Sequence, residues 1–160
     1  MRVAAMMFAI CSCLAAAGLG ASPQTPGIAE QLVGTWRLVE FTNYQDGAKV
    51  QPFGPNPLGY FIYTESGHVS IHIMHSPPPY SFRDLDMSEK ERQESRQRSY
   101  MGYFGTFEVD PVRSFITHRV EGGTVLSYIG TDQQRPFRLE DDVLVIGKDE
   151  EWIRVLERVR

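Results

Sequence analysis

From residue 33 onward the chain is cut into short apolar runs in which apolar and polar residues alternate, with turn residues roughly every eight to twelve positions. A period of two sends alternate side chains to opposite faces of a sheet, so the pattern predicts strands rather than helices. The runs are VGTWRLVEF (33–41), LGYFIYT (58–64), HVSIHIM (68–74), YFGTFEV (103–109), SFITHRV (114–120), TVLSYIG (124–130), QRPFRL (134–139), VLVIG (143–147) and WIRVLERV (152–159). Gly122 and Gly123 read as a turn between two of them. Eight or nine antiparallel strands joined by tight turns predict an all-β fold, a small up-and-down barrel, because closing the sheet removes exposed strand edges.

Two segments interrupt this meander. QPFGPNP (51–57) carries three prolines and cannot continue a strand, so it is expected to be a shaped loop. SPPPYSFRDLDMSEKERQESRQRSY (76–100) is far longer than a hairpin loop. In it Ser88 and Glu91 form a capping box, and Glu94 to Arg98 is an i,i+4 pair, which together predict a short helix from about Glu89 to Tyr100. That helix has no apolar residue between Met87 and Tyr100. Without a face to bury it is expected to be held at its ends, as a solvated connector or a lid over a barrel mouth.

The first 21 residues read as a secretory signal peptide: Arg2 is the only charge, an apolar run extends from Val3 to Leu19, and Gly18, Gly20 and Ala21 offer small residues for cleavage. Residues 22–30 would then be a flexible linker and 31–160 the barrel domain, exported to the periplasm or beyond. The apolar run is short for a membrane span, so no transmembrane domain is expected once the leader is removed. Cys11 and Cys13, the chain's two cysteines, both fall in the leader. The mature domain is therefore expected to stand without disulfides, thiolate metal sites or a cysteine nucleophile. Acidic residues outnumber basic ones 20 to 16, for a net charge of −4, which argues against nucleic acid as a partner.

Three of the four histidines lie within residues 68–75. On a strand His68 and His72 are about 13 Å apart and cannot share one zinc, and His75 has the opposite parity, so no metal site is expected. His118 shares a face with Ile116 and Val120. It is either a core histidine satisfied by a tyrosine or a carbonyl, or a pocket histidine that orients a ligand. Arg135 shares parity with Phe137 and Leu139, and an inward arginine needs a partner or a ligand anion. Glu40, on the face of Trp36 and Leu38, is a candidate partner. The aromatics Tyr60, Phe61, Tyr63, Tyr103, Phe104, Phe107, Tyr128 and Phe137 are core material, and those that face inward can also line a small cavity. No nucleophile elbow, phosphate loop or dinucleotide fingerprint occurs, so no catalytic residue and no cofactor is assigned.

Gly34, Thr35 and Trp36 in LVGTWRLVEF resemble the Gly-x-Trp motif of lipocalins. Further matches follow in the Pro52–Pro55 loop, in Gly59–Thr64, in Tyr103 with Gly105, Thr106 and Phe107, in His118, and in Gly130, Thr131, Asp132, Gln133 and Arg135. Together they are similar to the bacterial and fungal lipocalin-like domain family over about residues 32–157. The resemblance implies a barrel with an internal cavity, with Gly34 and Trp36 as structural motif residues at its closed end. It also implies an arginine from the last strand over that tryptophan, either Arg154 or Arg158.

The leading functional expectation is an exported, non-catalytic barrel that binds a small hydrophobic or amphipathic molecule. Its cavity candidates are His118, Arg135, Tyr103, Phe107, Tyr60, Phe137 and Glu40. One alternative is an isomerase or cyclase acting on a hydrophobic metabolite through His118, Arg135 and Tyr103. The other is a structural barrel filled by Phe107, Phe137, Ile116 and their neighbours.

Overall fold

The structure, a computed structural model, describes residues 27–78 and 88–160. A short helix α1 (Ile28–Leu32) leads into β1 (Gly34–Gln45), followed by β2 (Ala48–Val50), β3 (Leu58–Tyr63) and β4 (His68–Met74). A second helix, α2 (Glu89–Ser99), precedes β5 (Tyr100–Asp110) and β6 (Phe115–Gly123). A 3-10 turn at Leu126–Tyr128 then leads to β7 (Asp132–Glu140), β8 (Val143–Lys148) and β9 (Trp152–Arg158). All pairings are antiparallel, in the order β2-β1-β3-β4-β5-β6-β7-β8-β9, and β1 also pairs with β9. That last pairing closes eight strands into a barrel and leaves β2 as an extra hairpin strand on the far half of β1. The all-β up-and-down barrel read from the alternation is the observed fold.

The alternation explains the interior. Val69, Ile71 and Ile73 of β4 are buried while His68 and His72 are exposed, and the same inward row continues through Phe61 and Tyr63, Tyr103, Ile116 and Val120, Leu144 and Ile146, and Leu156. Two irregularities interrupt it. On β1, Leu38 pairs with Leu156 and Glu40 with Val155, so Val39 is an extra, unpaired residue and the facing of the strand inverts beyond it. The second is between Phe104 and Gly105 on β5. There a side chain on Gly105 would place its Cβ 1.9 Å from the Arg119 carbonyl oxygen.

TVLSYIG (124–130), read as a strand, is not one. β6 continues through Gly122 and Gly123, which pair with Phe104 and Tyr103, and the following residues fold into the 3-10 turn. Gly122 is pressed under the Phe104 ring, and Gly123 has φ +155 with no room for a Cβ against Tyr103. These glycines therefore serve close strand approach, not a turn. Val125–Leu126 and Tyr128–Ile129 are adjacent apolar pairs, which no single strand face can bury, and Leu126 is 78% exposed. The short β2 was not among the expected runs, although Asp46 and Gly47, both with positive φ, mark the tight hairpin that creates it.

Helix α2 occupies the expected place. Ser88 Oγ accepts the Glu91 N–H at 3.3 Å, and a Glu91 carboxylate oxygen accepts the Ser88 N–H at 2.8 Å, which completes the capping box. The expected leader (1–21) and residues 79–87 of the long insert lie outside the described residues. Of the expected linker, residues 27–30 are described, and they enter α1 at Ile28. Among the described residues, no helix is long and apolar enough to cross a membrane.

Candidate functional site: a polar-ended cavity in the barrel

One end of the barrel is plugged. Trp36 is fully buried and its indole N–H donates to the Leu32 carbonyl at 2.8 Å, tying α1 across the opening. The Arg158 guanidinium lies 4.1 Å over the Trp36 ring and donates to the carbonyls of Val33, at 3.0 Å, and Gln31. Of the two arginines that spacing left open, Arg158 is thus the one that covers the tryptophan. Gly34, with φ +139, leaves the room its guanidinium needs, since a Cβ there would stand 2.8 Å from Arg158 Nη1.

Away from the plug the side chains do not meet. A cavity of about 400 Å³ remains, lined by Phe41, Phe61, Ile71, Ile73, Met101, Tyr128, Ile146 and Trp152 on its apolar walls. Asn43, Tyr103, His118, Arg135, Glu151 and Arg154 supply its polar groups. The register of the sheet gathers them. His118 and Ile116 alternate inward on β6, Arg135 stands opposite Ile116 on β7, and Trp152 and Arg154 alternate inward on β9. Beyond the Val39 bulge it is Phe41 and Asn43 of β1 that point inward.

His118 is fully buried between two phenols. Its Nδ1 lies 2.8 Å from the Tyr103 hydroxyl and its Nε2 lies 3.0 Å from the Tyr63 hydroxyl. Burial, reinforced by the nearby Arg135 charge, pushes the imidazole down to about 3, so it is neutral at pH 7. Burial raises the Tyr103 phenol to about 12, with Arg135 opposing part of the rise through its charge and a hydrogen bond, and it raises Tyr63 well above its ordinary range. A phenol can donate to or accept from the ring nitrogen it faces, so a neutral imidazole with one protonated nitrogen is satisfied at both.

The two cavity arginines are held by rings and neutral oxygens. Arg135 lies 5.5 Å from the Tyr128 ring and 5.3 Å from the Trp152 ring, and donates to Gln133 Oε1 at 3.2 Å. Arg154 lies 3.3 Å from the Phe41 ring and 5.2 Å from Trp152. It donates to the carbonyls of Thr42 at 2.6 Å and Ile153 at 2.8 Å and to Asn43 Oδ1 at 2.9 Å. Burial and the Arg135 charge push Arg154 down to about 9, which leaves it protonated at neutral pH.

Of the residues singled out from the sequence, the structure brings His118, Arg135 and Tyr103 together on the cavity. The other four lie elsewhere. Glu40 pairs with Lys49 at 2.9 Å and accepts from Thr42 at 2.7 Å, because the Val39 bulge turns it away from Arg135. Tyr60 faces outward and is 47% exposed. Phe107 packs edge-on against Tyr63 at 4.9 Å, and Phe137 belongs to the buried core. Tyr128 and Phe61, named among the aromatics that could line a cavity, do line it, while sequence reasoning missed Arg154 and Trp152 as cavity residues. For both the signal was present, since Arg154 alternates with Trp152 and Leu156. The outward histidines make local bonds, His72 to Tyr100 and Ser70 and His68 to Ser66, while His75 donates to the Pro77 carbonyl at 2.7 Å. Among the described residues, no cluster of three or more histidine, cysteine or acidic side chains could hold a metal.

Among solved structures, the chain is similar to a mutant of the fluorescent protein UnaG, at 13% identity over 81% of this chain and 97% of that one, with a TM-score of 0.38. No curated protein matches it. The sequence model of the lipocalin-like domain matches residues 33–155, from the residue before Gly34 to the middle of the strand that closes the barrel. With the barrel, its tryptophan plug and that match in agreement, the chain belongs to the lipocalin-like domain family.

Proposed function

We propose that the barrel binds a small amphipathic molecule, its apolar body against Phe61, Ile71, Ile73 and Trp152 and its polar end against Tyr103, Arg135 and Arg154. The observation that carries this reading is the cavity of about 400 Å³, whose polar groups converge on an otherwise apolar lining. Small-ligand sites have this character and fall in a range of roughly 300–1,000 Å³. His118 contributes by positioning, because Tyr103 and Tyr63 occupy both its ring nitrogens. A base held down to about 3 is poorly matched to proton abstraction at neutral pH, which favours binding over an isomerase-type reaction. The leader read over residues 1–21 supports a role outside the cytoplasm.

Native mass spectrometry of the chain purified gently from its host's envelope fraction tests the reading. The expected result is an added mass of a few hundred daltons or so, the size such a cavity holds, that is lost on denaturation. A bare mass that stays bare after incubation with host lipid extract would count against it.

A further inference from the structure

The charge inside the barrel is unbalanced. Arg37, Arg119 and Arg138 on the outer surface each have a carboxylate oxygen within 3.1 Å, and Arg158 at the plug has Asp142 at 3.4 Å. Arg135 and Arg154 differ: among the described residues neither has a carboxylate partner. Glu151, the carboxylate that lines the cavity, is paired instead with Lys148 at 3.3 Å. Two like charges lie against the same Trp152 ring, partly withdrawn from water, with neutral oxygens as their hydrogen-bond acceptors. Such a pair is costly to hold unless something negative arrives.

The shape of the two groups says what would fit. Aromatic rings surround both, Tyr128 at 5.5 Å and Trp152 at 5.3 Å from Arg135, and Phe41 at 3.3 Å and Trp152 at 5.2 Å from Arg154. Beyond the donors that Arg135 gives to Gln133 and Arg154 gives to Thr42, Ile153 and Asn43, each of these five-donor groups keeps N–H groups for a ligand, and a guanidinium edge matches the two coplanar oxygens of a carboxylate. Tyr103, its hydroxyl 2.8 Å from His118 Nδ1, lines the same cavity as the two arginines.

Resting on the reading of the cavity as a ligand site, we propose that the ligand is a carboxylic acid with an apolar body, its carboxylate received by Arg135 and Arg154 together. The two guanidiniums act as one recognition element, and a neutral analogue of the same body leaves their charge uncompensated.

Isothermal titration calorimetry of the full chain at pH 7.5 with decanoate and, separately, decanol tests this. Decanoate is expected to bind at least roughly tenfold more tightly, the size of one charge-assisted hydrogen bond. Arg135→Gln is expected to collapse that ratio by roughly the same factor. Arg154→Lys, which keeps a cation while losing the planar fork, is expected to reduce it in part, and Arg37→Gln on the outer wall to leave it unchanged. Equal affinity for the two probes, or a preference for decanoate that survives Arg135→Gln, would overturn the carboxylate assignment while the cavity reading stands. Binding of neither probe would overturn the assignment and count against the cavity reading as well.

Discussion

The Tyr103 hydroxyl stands 2.8 Å from Nδ1 of His118, so the barrel's inward histidine is committed to ordering a phenol on the cavity wall. Tyr63 takes its other nitrogen, and none of the three rings is more than 6% exposed. The unit joins packing to recognition: it is core, and it aims Tyr103 at the end where Arg135 lies.

Removing the histidine should therefore be expensive. His118→Ala leaves the hydroxyls of two buried tyrosines without this partner and opens a void beside them, and the expected loss in urea-monitored unfolding is about 3 kcal/mol or more. His118→Gln, which still offers a donor and an acceptor, should recover part of it. A loss under about 0.5 kcal/mol for the alanine variant would show that the three side chains do not act as a unit.

The same group gives the fold a pH dependence of definite sign. Burial lowers His118 from 6.5 to about 3 in the folded state, so above pH 6.5 it is neutral folded or unfolded and its contribution is complete. As pH falls below 6.5 the unfolded chain takes up a proton that the folded chain refuses, and stability declines by up to about 1.4 kcal/mol per pH unit until roughly pH 3. Glu40, held low by hydrogen bonds from Lys49 and Thr42, and Asp110, held low by hydrogen bonds from Arg113, add losses of the same sign only below their ordinary values of 4.5 and 3.8. Urea midpoints measured from pH 7 to pH 4.5 should accordingly fall for the unaltered chain, with a shallower decline for His118→Gln. Parallel declines would assign the effect to other groups.

At the plug, Arg158 joins the Trp36 ring to the carbonyls of Val33 and Gln31. Arg158→Lys keeps the charge but not the planar fork that stacks and bonds two oxygens at once, and should cost about 1–2 kcal/mol in the same unfolding assay. An unchanged midpoint would mean that α1 and Trp36 close this end without it.

Gly105→Ala tests the bulge on β5. The new Cβ would meet the Arg119 carbonyl at 1.9 Å, and both are backbone in paired strands that cannot yield separately. A loss of about 2 kcal/mol or more is expected, and a neutral result would show that the β5–β6 pair is looser than its register implies.

Much of this molecule could be read from residue parity, and the misreadings share one physical cause. Period-two alternation gave the strands, set Val69, Ile71 and Ile73 on the opposite face from His68 and His72, and marked His118 and Arg135 as polar residues on otherwise apolar faces. It fails wherever the backbone gains or loses one residue. The unpaired Val39 inverts β1, so Glu40 faces Lys49, and Phe41 and Asn43 take the inward places that simple alternation would give to Glu40 and Thr42. Gly122 and Gly123 carry the composition of a turn, yet they serve close approach to Phe104 and Tyr103, a tertiary relation that local pattern cannot express. Tyr128 reaches the cavity from a 3-10 turn, where parity has no meaning.

The most direct test of the cavity as a ligand site compares native mass spectra of the unaltered chain and Ile71→Trp, both purified from the same host. Ile71 is buried and lines the cavity, so a larger ring there fills the space instead of overpacking the core. An added mass carried by the unaltered chain and missing from a folded Ile71→Trp chain is the expected result. The same added mass on both, or on neither, would contradict it.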